Sequence, residues 1–384
     1  MPIDIFALES QLSAEDKILR DTVRSWVAEK FLPNADEYFN KGIFPVELVP
    51  ALASMGVLGM QLDGYGCTGA SALAYGIVCQ ELEYGDTGLR SFVSVQSSLA
   101  MYAIYALGSE EQKNYWLPKM AKGEVIGCFA LTEPDAGSDP SSMRATAVKS
   151  GNKYIINGTK RWITNGGIAK IAIVWAKLNG KITGFIVPTE TKGVVVTNIE
   201  NKLSMRASVT SELTFQDCEV DEDSLLPLAT GLGSALKCLN EARFGIVWGA
   251  VGSAQACFDT ALNYAKERTQ FGKSISAFQL TQEKLAKMAT EITKAQLLAF
   301  ELAKLKERNA VTPIQISMAK MNNVRMALDV ARTARTILAA NGISLEYPVF
   351  RHMVNLESVL TYEGTEEVHT LIIGEVLTGN SAFK

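Results

Sequence analysis

Leu360-Thr361-Tyr362-Glu363-Gly364-Thr365-Glu366-Glu367-Val368-His369 is a polar hinge between two apolar stretches, 353–360 before it and 371–377 after it. Gly364 opens backbone angles closed to other residues and lets another group come close. Thr365 is placed to cap a following helix, and Glu366 and Glu367 suit the positive end of its dipole. Glu363 therefore projects from a turn just ahead of a helix, between apolar flanks. Burial there raises a carboxyl pKa, whereas a nearby helix end lowers it. Two readings stay open from these residues alone. One is a polar turn between two helices; the other is a carboxylate tuned to take a proton from carbon.

The bulk composition sets the frame. The chain has 384 residues, 47% hydrophobic and 20% charged, enough for two or three globular domains. A formal net charge of −4 carries no basic domain of the kind nucleic acid requires. No apolar run reaches membrane-spanning length. Met1-Pro2-Ile3-Asp4-Ile5-Phe6 is neither basic nor followed by a signal-peptide core. The expectation is a cytoplasmic protein, or one of the mitochondrial matrix if a presequence has been removed. The six cysteines are scattered without a Cys-x-x-Cys pair, which argues against zinc and disulfide frameworks. The two histidines, His352 and His369, give little to build a metal site or a Ser-His-Asp triad, so no metal is expected.

Three regions follow from pattern. Residues 11–124 read as helices: Ile18, Leu19, Val23 and Trp26 recur at helical spacing over 16–30. From near Gly123, β-rich runs appear at 154–156, 171–175, 184–187, 194–196 and 212–215. Gly-containing turns at 157–158, 179–180 and 192–193 punctuate them, the signature of an antiparallel barrel or sandwich. From Leu236 the reading is long helices, with a stripe through Leu285, Met288, Ile292, Ala295, Leu298, Leu302 and Leu305 that is core packing of a four-helix bundle. The expected architecture is mostly α with a central β domain: an N-terminal helical domain over 1–124, a β domain over 125–230 and a C-terminal bundle over 231–384.

Several polar segments each carry two readings. Arg90 stands at the mouth of a neutral stretch running to Glu110. It is either a surface arginine paired with Glu83 or Asp86, or a lone cation that clamps a carboxylate bidentately. The segments 128–139 and 160–167 are either decorated turns or a flavin seat. In the second case Trp162 supplies an aromatic wall, and Thr132 and Thr164 supply hydroxyls for a ring edge. Glu267-Arg268-Thr269-Gln270-Phe271-Gly272-Lys273 is either a solvated loop or a place where Arg268 meets a phosphate. No Gly-x-Gly-x-x-Gly follows a strand and opens a helix, so a Rossmann seat is absent.

Taken together, Tyr362-Glu363-Gly364-Thr365 and the upstream Ala339-Ala340-Asn341-Gly342 resemble the active-site region of the acyl-CoA dehydrogenases. The resemblance covers nearly the whole chain, with the motifs in the family's order. It implies FAD as cofactor and Glu363 as the base that removes the α-proton of an acyl thioester. Some branches carry the base at the position of Ala242, and alanine cannot serve; Glu241 beside it should face about 100° away on a helix. By the same resemblance Phe129, Leu131, Thr132, Trp162 and Thr164 match positions that contact the flavin ring. Ser138 matches a position near the coenzyme A pyrophosphate, and Asn240 and Arg243 match residues lining the coenzyme A arm. Arg268 and Phe271 belong to a segment that reaches the FAD pyrophosphate of a neighbouring subunit, and Gln279 matches a nearby cofactor contact. Ala340 lies in the loop that approaches the adenine end, and Thr365 and Glu367 match positions near the adenosine half. Alanines replace two glycines of that loop, a cost wherever positive φ is required.

The run Gly88-Leu89-Arg90-Ser91-Phe92-Val93-Ser94-Val95-Gln96-Ser97-Ser98 is similar to one branch, the glutaryl-CoA dehydrogenases. There the arginine binds the distal carboxylate of the substrate, and residues matching Glu83 and Ser91 line the same pocket. The resemblance thus implies oxidation of glutaryl-CoA with decarboxylation to crotonyl-CoA, Tyr362 and Gly364 shaping the site, a homotetramer, and an electron-transfer flavoprotein as acceptor. The alternatives are a dehydrogenase or oxidase of the same family acting on another acyl-CoA or acyl-carrier-protein substrate, and dehydrogenation of glutaryl-CoA without CO2 release.

Overall fold

A computed structural model describes residues 4–383; Met1, Pro2 and Ile3, part of the leader reading, and Lys384 lie outside them. Seven helices come first: α1 (Ala14–Trp26), α2 (Ala35–Lys41), α3 (Val49–Ser54), α4 (Ala72–Gly85), α5 (Thr87–Ser94), α6 (Tyr102–Leu107) and α7 (Glu110–Ala121). Local chemistry starts several of them. Ser13 and Asp16 form a reciprocal capping box at α1, Ser71 accepts from the Ala74 amide, and the Asp86 carboxylate accepts from the Gly88 amide. The helical pattern expected over 16–30 does not run straight: α1 ends at Trp26 and continues as a wider π-turn over Val27–Phe31.

The central region is one curled sheet of β1 (Gly127–Ala130), β2 (Thr146–Ser150), β3 (Lys153–Thr164), β4 (Ile171–Leu178), β5 (Lys181–Pro188), β6 (Val194–Asn198) and β7 (Thr210–Asp221), in the order β1-β4-β2-β3-β7-β6, with β5 on the other edge of β4. The antiparallel expectation holds for β2–β3, β3–β7, β4–β5 and β6–β7, but β4 runs parallel to both β1 and β2. The Ile171-Ala172-Ile173-Val174-Trp175-Ala176 run of β4 is buried throughout, because both faces of this strand are covered.

The last region holds α8 (Leu232–Glu267), a short hairpin of β8 (Thr269–Gln270) and β9 (Lys273–Ser274), then α9 (Gln279–Glu307), α10 (Pro313–Leu338), α11 (Pro348–Thr361) and α12 (Glu366–Thr378). Pro313 opens α10 behind a Thr312–Gln315 capping box. Of the stripe read on α9, Met288, Ile292, Ala295 and Leu302 are buried, as core packing requires. The middle of α8 is buried all round, since it packs on α4 as well as on α9 and α10. Phe244, Val247 and Trp248 of α8 share one core with Tyr75, Val78 and Leu82 of α4. Each such fully buried side chain contributes about 1.5–3 kcal/mol. No helix among the described residues is long and apolar enough to cross a membrane.

Candidate active site

The turn between α11 and α12 is built as its sequence reads at one end. The Thr365 hydroxyl accepts from the Val368 amide at 3.2 Å and so caps α12. Gly364 has φ +98°, and a Cβ there would stand 2.9 Å from His369 Nε2 and 3.4 Å from an Arg243 nitrogen. Glu363 itself has φ +55°, a left-handed conformation that glutamate adopts only when its surroundings impose it. Its carboxylate oxygen Oε2 is buried without a hydrogen-bond partner.

Three cations face that carboxyl. Arg243 of α8 donates through Nε to the Glu363 carbonyl at 2.7 Å and through Nη1 to Asn240 Oδ1 at 3.1 Å. Lys320 of α10 is almost wholly buried and donates to the carbonyls of Tyr362 at 3.1 Å and Gly364 at 2.8 Å, with Leu360 at 3.5 Å. Arg90 of α5 donates through Nη2 to the Tyr362 hydroxyl at 2.6 Å. Burial nevertheless dominates and holds the Glu363 carboxyl above the usual range, against the pull of Arg90, Arg243 and Lys320. The lowering influences on Glu363 include these three cations, which the local sequence around the turn did not reveal. Burial also pulls the Lys320 ammonium down to about 7 and His369 down to about 3.

Arg90 has one of the partners its sequence context offered, Glu83, but not at the surface. It is fully buried, and it is not alone: Nε donates to Glu83 Oε2 at 2.5 Å. The other Glu83 oxygen accepts from Thr87 and Ser253 hydroxyls, each at 3.2 Å. Gly249 of α8 leaves room for the pair, since a Cβ there would lie 2.0 Å from Glu83 Oε2 and 3.0 Å from Arg90 Nε. Ser91, next to Arg90 in α5, is buried too. Asp86 pairs instead with Arg351 of α11 at 2.5 Å and with Asn355 at 3.1 Å, which ties the start of α5 to the helix leading into Glu363.

A second group assembles on the sheet. Both polar segments expected as loops are partly strand, in β1 and β3. They are joined where the Arg161 amide donates to the Thr132 carbonyl at 2.8 Å. The buried Lys160 ammonium reinforces the join, reaching the Leu131 carbonyl at 3.0 Å and Glu133 Oε1 at 2.8 Å. Phe129 and Leu131 are buried, Phe129 lying 5.7 Å from the Trp175 ring. A register shift between Lys160 and Ile163 accompanies Trp162 at φ +63°, and the residue is 55% exposed, while Thr132 and Thr164 are half-buried. Asn165 adds a buried amide nitrogen, Nδ2, with no partner. An outward indole, free hydroxyls and an orphaned amide donor fit a flat ring with a polar edge.

The remaining expected residues lie apart from Glu363. Arg268, Phe271 and Gln279 are exposed at the hairpin end of α8, Phe271 at 93% with φ +51°. Tyr264 links that end to the 339–343 loop: its carbonyl accepts from the Arg268 amide and its hydroxyl from Asn341 Nδ2 at 3.1 Å. Ala340 and Ser138 are exposed, as is Glu367 in the first turn of α12. Among the described residues no hydrogen bond or ion pair joins Arg268, Phe271 or Gln279 to the Glu363 group. Glu241 turns away from the site, as its helical position requires, and pairs with Lys306 at 2.7 Å. A cavity of about 620 Å³ between α9 and α10 touches the turn only at Glu366, whose carboxylate pairs with Arg325.

Sequence reading missed Lys320, Ser253, Thr87 and Arg351. The available signal for Lys320 was its register: it follows Ile316 by four residues and precedes Asn323 by three, both on the buried face of α10.

Comparison with known proteins accords with this geometry. Family models for the acyl-CoA dehydrogenase N-terminal, middle and C-terminal domains match residues 13–124, 128–218 and 229–378. A crystal structure of a glutaryl-CoA dehydrogenase from Mycobacterium smegmatis is 55% identical, covers 99% of each chain and superposes with a TM-score of 0.98. Another from the same organism, in complex with FADH2, is 51% identical over 100% of this chain and 99% of that one, also with a TM-score of 0.98. The human mitochondrial short-chain specific acyl-CoA dehydrogenase is 35% identical over 370 residues, 94% of this chain and 90% of its own length.

Proposed function

This chain belongs to the acyl-CoA dehydrogenase family and is an FAD-dependent enzyme of that class; from that premise we propose that its substrate is glutaryl-CoA, oxidised and decarboxylated to crotonyl-CoA. The observation that carries the reading is Arg90, a fully buried guanidinium bonded to Tyr362 beside Glu363. A carboxylate at the far end of a short acyl chain would meet this guanidinium as a charge-assisted acceptor.

Glu363 takes the α-proton with an oxygen that has no hydrogen bond to give up. When bound, FAD supplies the two-electron acceptor for the β-carbon. Phe129, Leu131, Thr132, Trp162 and Thr164 would hold its ring. Thr365, Glu367 and Ala340 would lie near its adenosine half, and Arg268 and Phe271, with Gln279 nearby, would reach the FAD pyrophosphate of a neighbouring subunit in a homotetramer. The exposed apolar Phe271 at a hairpin tip suits such a contact. Asn240, Arg243 and Ser138 would line the coenzyme A arm. In the unsaturated thioester the bond to the distal carboxylate breaks, CO2 leaves, and the electron pair is delocalised into the enone. Protonated Glu363 returns its proton at the γ-carbon. Electrons then leave through an electron-transfer flavoprotein.

A second reading is an unsubstituted short acyl-CoA, and one observation favours it. Glu83 already neutralises Arg90, which weakens its hold on a further carboxylate. Turnover of glutaryl-CoA and butyryl-CoA, with CO2 assayed and Arg90→Met/Glu83→Gln alongside, tests the choice. Preference for glutaryl-CoA, lost in the double variant, is expected. Preference for butyryl-CoA in the parent enzyme overturns the glutaryl reading, and glutaconyl-CoA without CO2 overturns the decarboxylation.

A further inference from the structure

Three consecutive backbone carbonyls at the base turn are each held by a buried cation. Lys320 takes Tyr362 and Gly364, and Arg243 takes Glu363 between them. Lys320 also approaches Leu360, whose carbonyl is among the last of α11 and has no amide partner ahead of it in the helix. A cation at this point stabilises the negative end of the α11 dipole. It also fixes a turn whose central residue has φ +55°, a strained conformation that persists only where its surroundings impose it.

We propose that Lys320 is the positioning residue of the base turn: by gripping the carbonyls on both sides of Glu363 it presents the carboxylate in one orientation and favours its ionised form. The inference rests on the reading of Glu363 as the base and not on the identity of the acyl group. Lys320 reaches only main-chain oxygens of this turn, so it acts through Glu363. The charged groups facing Glu363 are Arg90 from α5, Arg243 from α8 and Lys320 from α10, and Lys320 in turn faces Glu366. His369 packs on Gly364 from α12 and is held neutral by burial. Of the three cations, Lys320 alone binds both carbonyls flanking Glu363.

The test compares Lys320→Met, which keeps the length and removes donors and charge, with Lys320→Gln, which keeps two donors and removes the charge. The acyl-CoA is whichever bleaches the flavin of the parent enzyme. FAD content, kcat, KM and the pH midpoint of Glu363 are measured. The midpoint is read from the acid limb of kcat/KM and independently from the protonated-carboxyl infrared band that disappears in Glu363→Gln. In Lys320→Met, kcat is expected to fall about tenfold or more with little change in KM. The midpoint should rise by about one pH unit as a neighbouring cation is lost. Lys320→Gln should recover part of kcat while its midpoint stays raised. A folded, FAD-loaded Lys320→Met enzyme with unchanged kcat and midpoint overturns the proposal. Failure of both variants to accumulate as FAD-bound protein also overturns it, since Lys320 would then serve folding in general. Full activity in Glu363→Gln would instead sink the base assignment, a separate outcome.

Discussion

Arg90 Nη2 and the Tyr362 hydroxyl meet at 2.6 Å across 272 positions of sequence. The contact joins the buried Arg90–Glu83 pair to the residue preceding Glu363, so on the proposed reading recognition of the far end of a substrate and placement of the base share one side chain. Tyr362→Phe removes that hydroxyl without changing the ring. A hydrogen bond to a charged group is worth about 1.5–3 kcal/mol. We expect kcat/KM for glutaryl-CoA to fall about tenfold or more, with butyryl-CoA affected less; steady-state kinetics on both substrates checks it.

The buried Glu363 carboxyl sets both a pH limb and a stability cost. Its folded pKa is raised, so the folded state binds this proton more tightly than the unfolded chain. Protonated Glu363 cannot act as base, and kcat/KM should climb through a midpoint above the ordinary glutamate range. The stabilising contribution of this group is complete below its unfolded pKa and is lost as pH rises through the folded value. Glu363→Gln should therefore lose turnover yet melt higher than the parent at neutral pH. At pH below the unfolded value the difference should vanish; calorimetry across pH measures this.

Gly249 marks where α8 makes room for the Glu83–Arg90 pair. In Gly249→Ala the new Cβ would stand 2.0 Å from Glu83 Oε2. Alanine is the better helix former by about 1 kcal/mol, so a loss cannot come from helix propensity. The pair must move, and the ratio of glutaryl-CoA to butyryl-CoA turnover should drop at least several-fold, measurable by competition between the two thioesters.

Ala339 adopts φ +52° and ψ −125° directly after α10, at the start of the Ala339-Ala340-Asn341-Gly342 loop. Ala339→Gly relieves that strain and should raise stability by about 1 kcal/mol, read as an upward shift of the thermal midpoint. Ala340→Gly, at a position without positive φ, should not stabilise and serves as the control.

Much of the site was legible in the order of residues because it rests on local chemistry. Thr365 caps the helix that follows it, Gly364 takes a positive φ, and Glu363 sits between apolar flanks. Periodicity likewise marked the helical ends and the strand-rich centre, since one-sided burial imposes a period on any element it shapes. Strand direction was not legible: the parallel pairing of β4 with β1 and β2 depends on which edges meet after collapse. Neither was the state of Arg90, for which sequence offered a surface pair or a lone cation. Packing of α4, α5 and α8 made it a buried pair instead. Lys320 shows the limit most plainly. Along the chain it is one lysine in an amphipathic helix, and only when α10 lies across the α11–α12 turn does its ammonium find the carbonyls of Tyr362 and Gly364. Capping, turn formation and periodic burial act within a few residues and can be read from them; charge pairing in a water-poor interior is decided by which distant segments exclude the solvent together.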